Sequence, residues 1–259
     1  MTKTQYGSSR GDLASRATVY ASDLFAGKTV AVTGAGGGLG LSIAVLFARL
    51  GANLAINGRD AVKLASAKEF LETFGGMVFA KPMTIRDPGQ VEDFVGEVNR
   101  EFGSIDVLVN NAGGQFPQAA LDFSPKGWNA VIDTNLTGVW RVAKHGANAM
   151  IAAKVQGSII NIASITGLRT QMMTTAYSVS KAGVDHMTRQ MAVEMARSGI
   201  RVNAIAPGYF ETPLNAALVA DPAFTEWLEK RTPAGRWGRV DELVGAAVFL
   251  SSKASSFVN

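Results

Sequence analysis

The chain has 259 residues, 47% hydrophobic and 18% charged, with a formal net charge of +4; that much apolar matter buries a sizeable core and excludes global disorder. With no cysteine and only two histidines, a disulfide framework, cysteine-bound zinc, a thiol nucleophile and a histidine metal cluster drop out. No stretch approaches the roughly 18 uninterrupted apolar residues of a membrane span, and the scattered Lys and Arg form no patch suited to nucleic acid.

Residues 1–26 are polar, mix Lys3, Arg10 and Arg16 with Asp12 and Asp23, and lack the apolar core of a secretory signal. They read as a flexible tail, with a folded domain over 27–259 and a cytoplasmic location. From Lys28 onward short β-branched runs alternate with longer helical patterns. Strands are expected at 29–33 (TVAVT), 53–57 (NLAIN), 77–80 (MVFA), 105–109 (IDVLV), 158–162 (SIINI) and 201–205 (RVNAI). Helices are expected at 39–50, 61–73, 89–102, 136–153 and 176–197, with more near 223–231 and 241–251. Most of the strands are continuous apolar runs, as in a parallel sheet covered on both faces. Strict β-then-α succession without a linker or repeat predicts one α/β domain, a doubly wound parallel sheet with helices on both faces. Ligands bind such sheets beyond the carboxyl ends of the strands, so the residues there are the candidates.

The first strand runs into Thr33-Gly34-Ala35-Gly36-Gly37-Gly38-Leu39-Gly40 and then a helix. Glycines let backbone approach a pyrophosphate, and the helix start offers free N–H groups and the positive end of its dipole. A tight turn without a ligand is the plainer reading, and placement between strand and helix weakens it. The second strand ends Asn57-Gly58-Arg59-Asp60. Gly58 stands where a dinucleotide site often carries an acid for the ribose hydroxyls, and Arg59 follows. A guanidinium suits a 2′-phosphate, which favours NADP(H) over NAD(H); a solvated Arg59 beside a helix-capping or neutralising Asp60 is the alternative. Tyr177 and Lys181, four apart in an expected helix, share one face. A nearby ammonium lowers a phenol's pKa toward the working range of an acid/base catalyst. Such pairs are common on helix surfaces, so this one gains weight only beside Ser164, just beyond the fifth strand.

The spacing T-G-x3-G-x-G, joined to Asn110-Asn111-Ala112-Gly113, Asn135, Ser164, Tyr177-x3-Lys181 and Pro207-Gly208 with Thr212, resembles the short-chain dehydrogenase/reductase family over about 27–259. The resemblance implies a Rossmann-type domain and a nicotinamide cofactor, with no metal. It places Gly34, Gly36, Gly38, Leu39 and Gly40 at the pyrophosphate and Asn111, Ala112 and Gly113 at the adenine ribose. Thr84 stands at the adenine, where the family usually has Asp. Pro207, Gly208 and Thr212 fall at the carboxamide, and Tyr177 and Lys181 also touch the cofactor. The implied chemistry is hydride transfer between nicotinamide and a carbonyl or secondary alcohol. Tyr177 is then the general acid/base, Lys181 lowers its pKa, Ser164 orients the substrate oxygen and Asn135 supports a proton relay.

Residues 209–238 read as a lid, with Phe210, Leu214, Phe224 and Trp227 as an apolar wall facing Gln115, Phe116, Met172 and Met173. Within the family, Asn57-Gly58-Arg59-Asp60 and the run 231–238 (RTPAGRWG) look most like gluconate 5-dehydrogenases, which interconvert a sugar acid and its keto form. The 3-oxoacyl carrier-protein reductases come next. Enoyl-thioester reductases, echoed by Gly114-Gln115-Phe116 and Lys126-Gly127-Trp128, rank last because they tend to lack the Tyr/Ser pairing. A non-catalytic nucleotide-binding scaffold is the alternative from another class. The family implies a homodimer or homotetramer through helices at 128–150 and 176–197. It also implies a final strand after Asn259, expected to be missing here, which leaves an exposed sheet edge.

Overall fold

The computed structural model describes residues 8–259. Its centre is a six-stranded parallel sheet in the order β3-β2-β1-β4-β5-β6, with β1 Thr29–Thr33, β2 Asn53–Gly58, β3 Val78–Pro82, β4 Val107–Asn110, β5 Ser158–Ile162 and β6 Arg201–Ile205. Strand order reverses between β1 and β4, so the crevice for a ligand opens beyond the ends of these two strands. Side chains alternate across the sheet as the pleat demands. Val30, Val32, Leu54, Ile56, Val107, Val109, Ile160 and Ile162 enter one core. It is covered by α2 (Gly38–Arg49), α3 (Ala61–Glu72) and α10 (Val244–Ser251). Ala31, Ala55, Leu108 and Ile159 enter the other, covered by α4 (Pro88–Phe102), α6 (Gly138–Ala152) and α7 (Thr175–Met195). Every strand and every long helix of the sequence reading is present, within a few residues of its expected limits. α6 lies close on the sheet, because a Cβ on Gly146 would come within 2.7 Å of Leu108.

Three features differ from expectation. The first concerns the segment read as a flexible tail. Of residues 1–26, 1–7 lie outside the described residues, and 8–26 pack onto the domain. A short helix, α1 (Arg10–Ser15), buries Leu13, and Phe25 packs edge-on against Phe47 of α2 at 4.9 Å. Arg49 donates to the carbonyls of Leu13 and Arg16, Tyr20 Oη donates to Gly245 O at 2.9 Å, and Ser8 Oγ donates to Asp241 at 2.8 Å. Isolated apolar residues in a polar segment have no periodicity, so nothing in the pattern revealed them.

The second is that the helix read as 136–153 begins earlier. α5 (Pro125–Ile132) starts at Ser124, whose side chain caps Gly127 N, and continues through a π-helical turn at Asp133–Thr137 into α6. Gly138 N–H bonds Asp133 O, five residues back. The third is a short additional helix, α8 (Ala216–Val219), in the substrate-side segment, whose α9 (Pro222–Arg231) falls where a helix was expected. Along the outer edge of β6 run the last residues: Val202 N–H donates to Asn259 Oδ1 at 2.7 Å and Asn203 Nδ2 to Val258 O at 3.0 Å.

Candidate active site

The glycine turn and the 110–114 loop are one hydrogen-bonded unit. Thr33 Oγ1 accepts from the N–H groups of Asn111 at 3.0 Å and Ala112 at 2.9 Å. Asn111 Nδ2 donates back to the carbonyls of Thr33 at 3.0 Å and Gly34 at 3.3 Å. This crowding explains the glycine pattern. A Cβ on Gly40 would sit 2.4 Å from Asn111 Nδ2 and 2.5 Å from Gly34 O, and one on Gly34, at φ +69°, would sit 2.9 Å from Ala112 Cα. Gly38 also has positive φ, +55°, a conformation disfavoured for other residues. Gly36 and Gly37 meet no such limit. No side chain caps α2, so the first N–H groups of the helix, from Gly38, Leu39 and Gly40, are left for an anion.

At the end of β2, Asn57 is 1% exposed; its Oδ1 accepts from Gly34 N–H at 3.3 Å and its Nδ2 has no partner. Asp60 is engaged as the N-cap of α3, accepting from Lys63 N at 3.0 Å, with Lys63 Nζ 3.8 Å away. Arg59 is exposed and, among the described residues, has no hydrogen-bond or ion-pair partner. Thr84 lies half-buried after β3, where its Oγ1 accepts from Arg86 N–H at 3.3 Å.

The catalytic candidates meet beyond β4 and β5. Ser164, two residues past β5, is buried, and its Oγ accepts from Thr166 N–H at 3.2 Å and Thr166 Oγ1 at 3.0 Å. Tyr177 lies in the first turn of α7. Burial pushes its phenol above the ordinary tyrosine value, and a hydrogen bond with Ser164 pulls it partly back. One turn on, Lys181 is 3% exposed; its Nζ donates to Ile162 O at 2.6 Å and lies 5.7 Å from the centre of the Tyr177 ring. Burial lowers its ammonium to about 8. Here the sequence expectation is corrected: the phenol is raised, not lowered. Its own desolvation outweighs the lowering by Ser164, and the Lys181 head is turned to the Ile162 carbonyl.

Asn135, fully buried in the π-helical turn, clamps Gly114 with both ends of its amide: Oδ1 accepts from Gly114 N at 2.9 Å and Nδ2 donates to Gly114 O at 2.8 Å. The same Nδ2 reaches Ser180 Oγ at 3.2 Å, and that hydroxyl donates to Tyr177 O at 2.6 Å. The amide is thus committed to holding the loop against α7. Between them, a Cβ on Gly113 would lie 3.1 Å from Asn135 Oδ1 and 3.6 Å from Lys181 Nζ, so glycine keeps this space open. Thr33, Asn57, Thr166 and Ser180 were given no role of their own in the sequence; each is a small polar residue in or next to a motif, and its part becomes visible only through its hydrogen bonds.

Residues 34–259 match the family described as enoyl-(acyl carrier protein) reductase. The gluconate 5-dehydrogenase of Gluconobacter oxydans is 44% identical over 92% of this chain and 93% of its own length. The chain belongs to the short-chain dehydrogenase/reductase family. The 5-keto-D-gluconate 5-reductase of Escherichia coli is likewise 44% identical, over 92% of this chain and 94% of its own. The crystal structure of a gluconate 5-dehydrogenase from Burkholderia cenocepacia in complex with NADP and tartrate superposes with a TM-score of 0.87. It is 42% identical, covering 92% of this chain and 93% of that one. As a short-chain dehydrogenase/reductase, the chain is an oxidoreductase acting on CH–OH groups. Among the described residues, no helix is long and apolar enough to cross a membrane.

On the substrate side of this short-chain dehydrogenase/reductase, Pro207 O accepts from Ile165 N–H at 3.1 Å, joining the end of β6 to the loop after Ser164. Thr212 opens the short 3-10 turn Pro213–Asn215 and is half-buried. The expected apolar wall is only partly as read. Phe224 and Trp227 pack with each other, with Tyr209 and, for Phe224, with Trp237, at centroid distances of 5.2–6.0 Å. Phe210 instead packs against Gly238, and Leu214 is exposed. Tyr209 Oη donates to Gln171 Oε1 at 2.7 Å, tying the 209–238 segment to the loop between Ser164 and Tyr177. Met172 and Met173 are exposed, Met173 with φ +64°, and Gln115 Oε1 is buried without a partner.

Proposed function

We propose that this protein is an NADP(H)-dependent reductase and dehydrogenase of keto and hydroxy sugar acids, with Ser164, Tyr177 and Lys181 as its catalytic group and Asn135 as support. One observation carries this reading: the buried Lys181 ammonium lies 5.7 Å from the centre of the Tyr177 ring, one helical turn on, and Ser164 pulls the buried Tyr177 phenol partly back toward its ordinary value. The residues fit a dinucleotide. The glycine turn leaves a cradle that Cβ atoms would fill, α2 presents free N–H groups, and Gly113 keeps space open beside Lys181. Gly58 offers no side chain to ribose hydroxyls, and Arg59 is free for a 2′-phosphate. When bound, the cofactor supplies hydride transfer.

The chain's own part is positional and protonic. Tyr177 Oη, protonated at neutral pH, gives its proton to the substrate oxygen in reduction and takes it back in oxidation. Ser164 donates to that oxygen and orients it. Lys181 holds positive charge below a pH of about 8 and stabilises the phenolate that forms. Gly34, Gly36, Gly38, Leu39 and Gly40 hold the pyrophosphate, Asn111, Ala112 and Gly113 the ribose, Thr84 the adenine, and Pro207, Gly208 and Thr212 the carboxamide.

For the substrate, the sugar-acid relatives carry most weight, joined by Arg231 at the end of α9. Its guanidinium lies 5.3 Å over the Trp227 ring and has no ion-pair partner among the described residues, so it is free for a carboxylate. The exposed apolar residues Trp140 and Ile151 on α6 and Val179 and Val193 on α7 support a homodimer or homotetramer, working in the cytoplasm. The test is turnover of 5-keto-D-gluconate, and of gluconate in reverse, followed by nicotinamide absorbance. Oxidation of NADPH with the keto acid supports the reading; tight NADPH binding with no turnover of any carbonyl would overturn it in favour of a scaffold.

A further inference from the structure

Thr166 is assigned no role by the motifs, yet it makes two of the contacts around Ser164. Its backbone N–H donates to Ser164 Oγ at 3.2 Å and its hydroxyl is 3.0 Å from the same oxygen. A serine hydroxyl has two acceptor lone pairs and one proton to give. With Thr166 donating twice, both lone pairs are taken, and the Ser164 proton is left to give; Ser164 is also the group that pulls the Tyr177 phenol partly back down, as a donor to the phenolate does. Donation into an oxygen also strengthens that oxygen's own O–H as a donor, because chained hydrogen bonds polarise one another.

We propose that Thr166 is a positioning residue for catalysis: by filling the acceptor sites of Ser164 it turns the serine into a one-directional donor toward Tyr177 and the substrate oxygen. This rests on the roles given to Ser164 and Tyr177 above. Without the Thr166 hydroxyl, Ser164 Oγ regains a free lone pair. It then accepts the Tyr177 proton as readily as it donates its own. The phenolate loses a donor, and so does the substrate oxygen as charge grows on it. Thr166 touches neither substrate nor cofactor in this scheme; its effect travels through one oxygen.

The experiment uses Thr166→Val, which keeps the branched shape and the backbone N–H, and Thr166→Ser, which restores the hydroxyl. Expected for Thr166→Val is a fall of about fivefold in kcat with KM unchanged, the size of one neutral hydrogen bond, and recovery in Thr166→Ser. The phenolate of Tyr177 is also titrated directly, as the difference in ultraviolet absorbance between each protein and its Tyr177→Phe counterpart; Thr166→Val shifts that titration to higher pH. In a Ser164→Ala background both effects of Thr166→Val vanish. The inference is overturned by an unmoved titration, by equal losses with and without Ser164, or by failure of Thr166→Ser to recover. Where Ser164→Ala leaves no measurable turnover, the cycle is read on the titration. Wild-type turnover in Tyr177→Phe or Ser164→Ala sinks the catalytic reading instead, and the titration still decides whether Thr166 acts through Ser164.

Discussion

At the strand ends, a Cβ on Gly40 has neighbours at 2.4 and 2.5 Å, and Thr33, Asn111 and Asn135 each make two or more hydrogen bonds within the unit. Across the cleft, the 209–238 segment is held by edge-on aromatic rings, by the Tyr209–Gln171 bond and by pairing of Tyr209 and Glu211 with Gly238. The first region tolerates almost no change of shape, since close-packed backbone cannot give way. The second has exposed side chains such as Leu214 and Trp227 and room for other residues. A common reaction with variable substrates needs this division: a floor that fixes the shared chemistry and a roof that adapts.

That contrast is open to attack at several points. Tyr177→Phe is expected to cut kcat/KM about a thousandfold with an unchanged melting temperature, measured by steady-state kinetics and thermal denaturation. A Tm loss comparable to the activity loss would mean a structural role. Gly40→Ala is expected to destabilise by about 1–3 kcal/mol through overpacking and to weaken NADPH binding, whereas Gly37→Ala, facing open space, stays close to wild type. Equal effects at the two positions would refute a rigid floor.

The pH dependence follows from burial. Tyr177 is raised, so its protonated form, the acid needed for reduction, prevails at neutral pH. Lys181 is lowered to about 8, so its charge is lost as pH rises through that value. Reduction is therefore expected to hold near neutrality and to decline above about 8, while oxidation gains with rising pH as the phenolate forms. For stability the sign is opposite to that of a lysine with a partner. Between about 8 and 10.5 the unfolded chain keeps a proton that folded Lys181 has released, so this group's contribution to stability rises with pH. A pH-jump melt series on wild type and Lys181→Met separates the two effects.

Smaller effects are expected at the periphery. Arg59→Ser should weaken NADPH about tenfold, near 1.4 kcal/mol, and leave NADH unchanged, as read by fluorescence titration. Arg231→Gln, on the adaptable side and exposed, should raise KM for a keto acid by only about threefold, with no change for an uncharged ketone of the same shape.

Much of the floor was legible in the residues because its rules are local. Apolar runs of strand length and glycines between strand and helix need no knowledge of the rest of the chain, and Ser164, Tyr177 and Lys181 follow from their places. What escaped depends on distant partners. Leu13 and Phe25 look like stray apolar residues until α2 is packed against them. The raised phenol of Tyr177 requires knowing how deeply it is buried. Thr166 matters only through an oxygen two residues away, and the mutual packing of Tyr209, Phe224, Trp227 and Trp237 depends on residues up to 28 positions apart coming together.

The wide turn at Asp133–Thr137 carries one residue more than the rod around it needs. Each residue of a regular helix turns the chain by about 100°. Deleting any one of the five would let the rod close into an unbroken spiral, and its two halves would then disagree by that angle. Either Asn135 keeps hold of Gly114 and the side of α6 bearing Val139, Val142 and Gly146 swings off the sheet, or that side stays seated and the amide swings out of reach. A single extra residue thus serves as the vernier between packing and chemistry, and its length is as constrained as the identity of any side chain beside it.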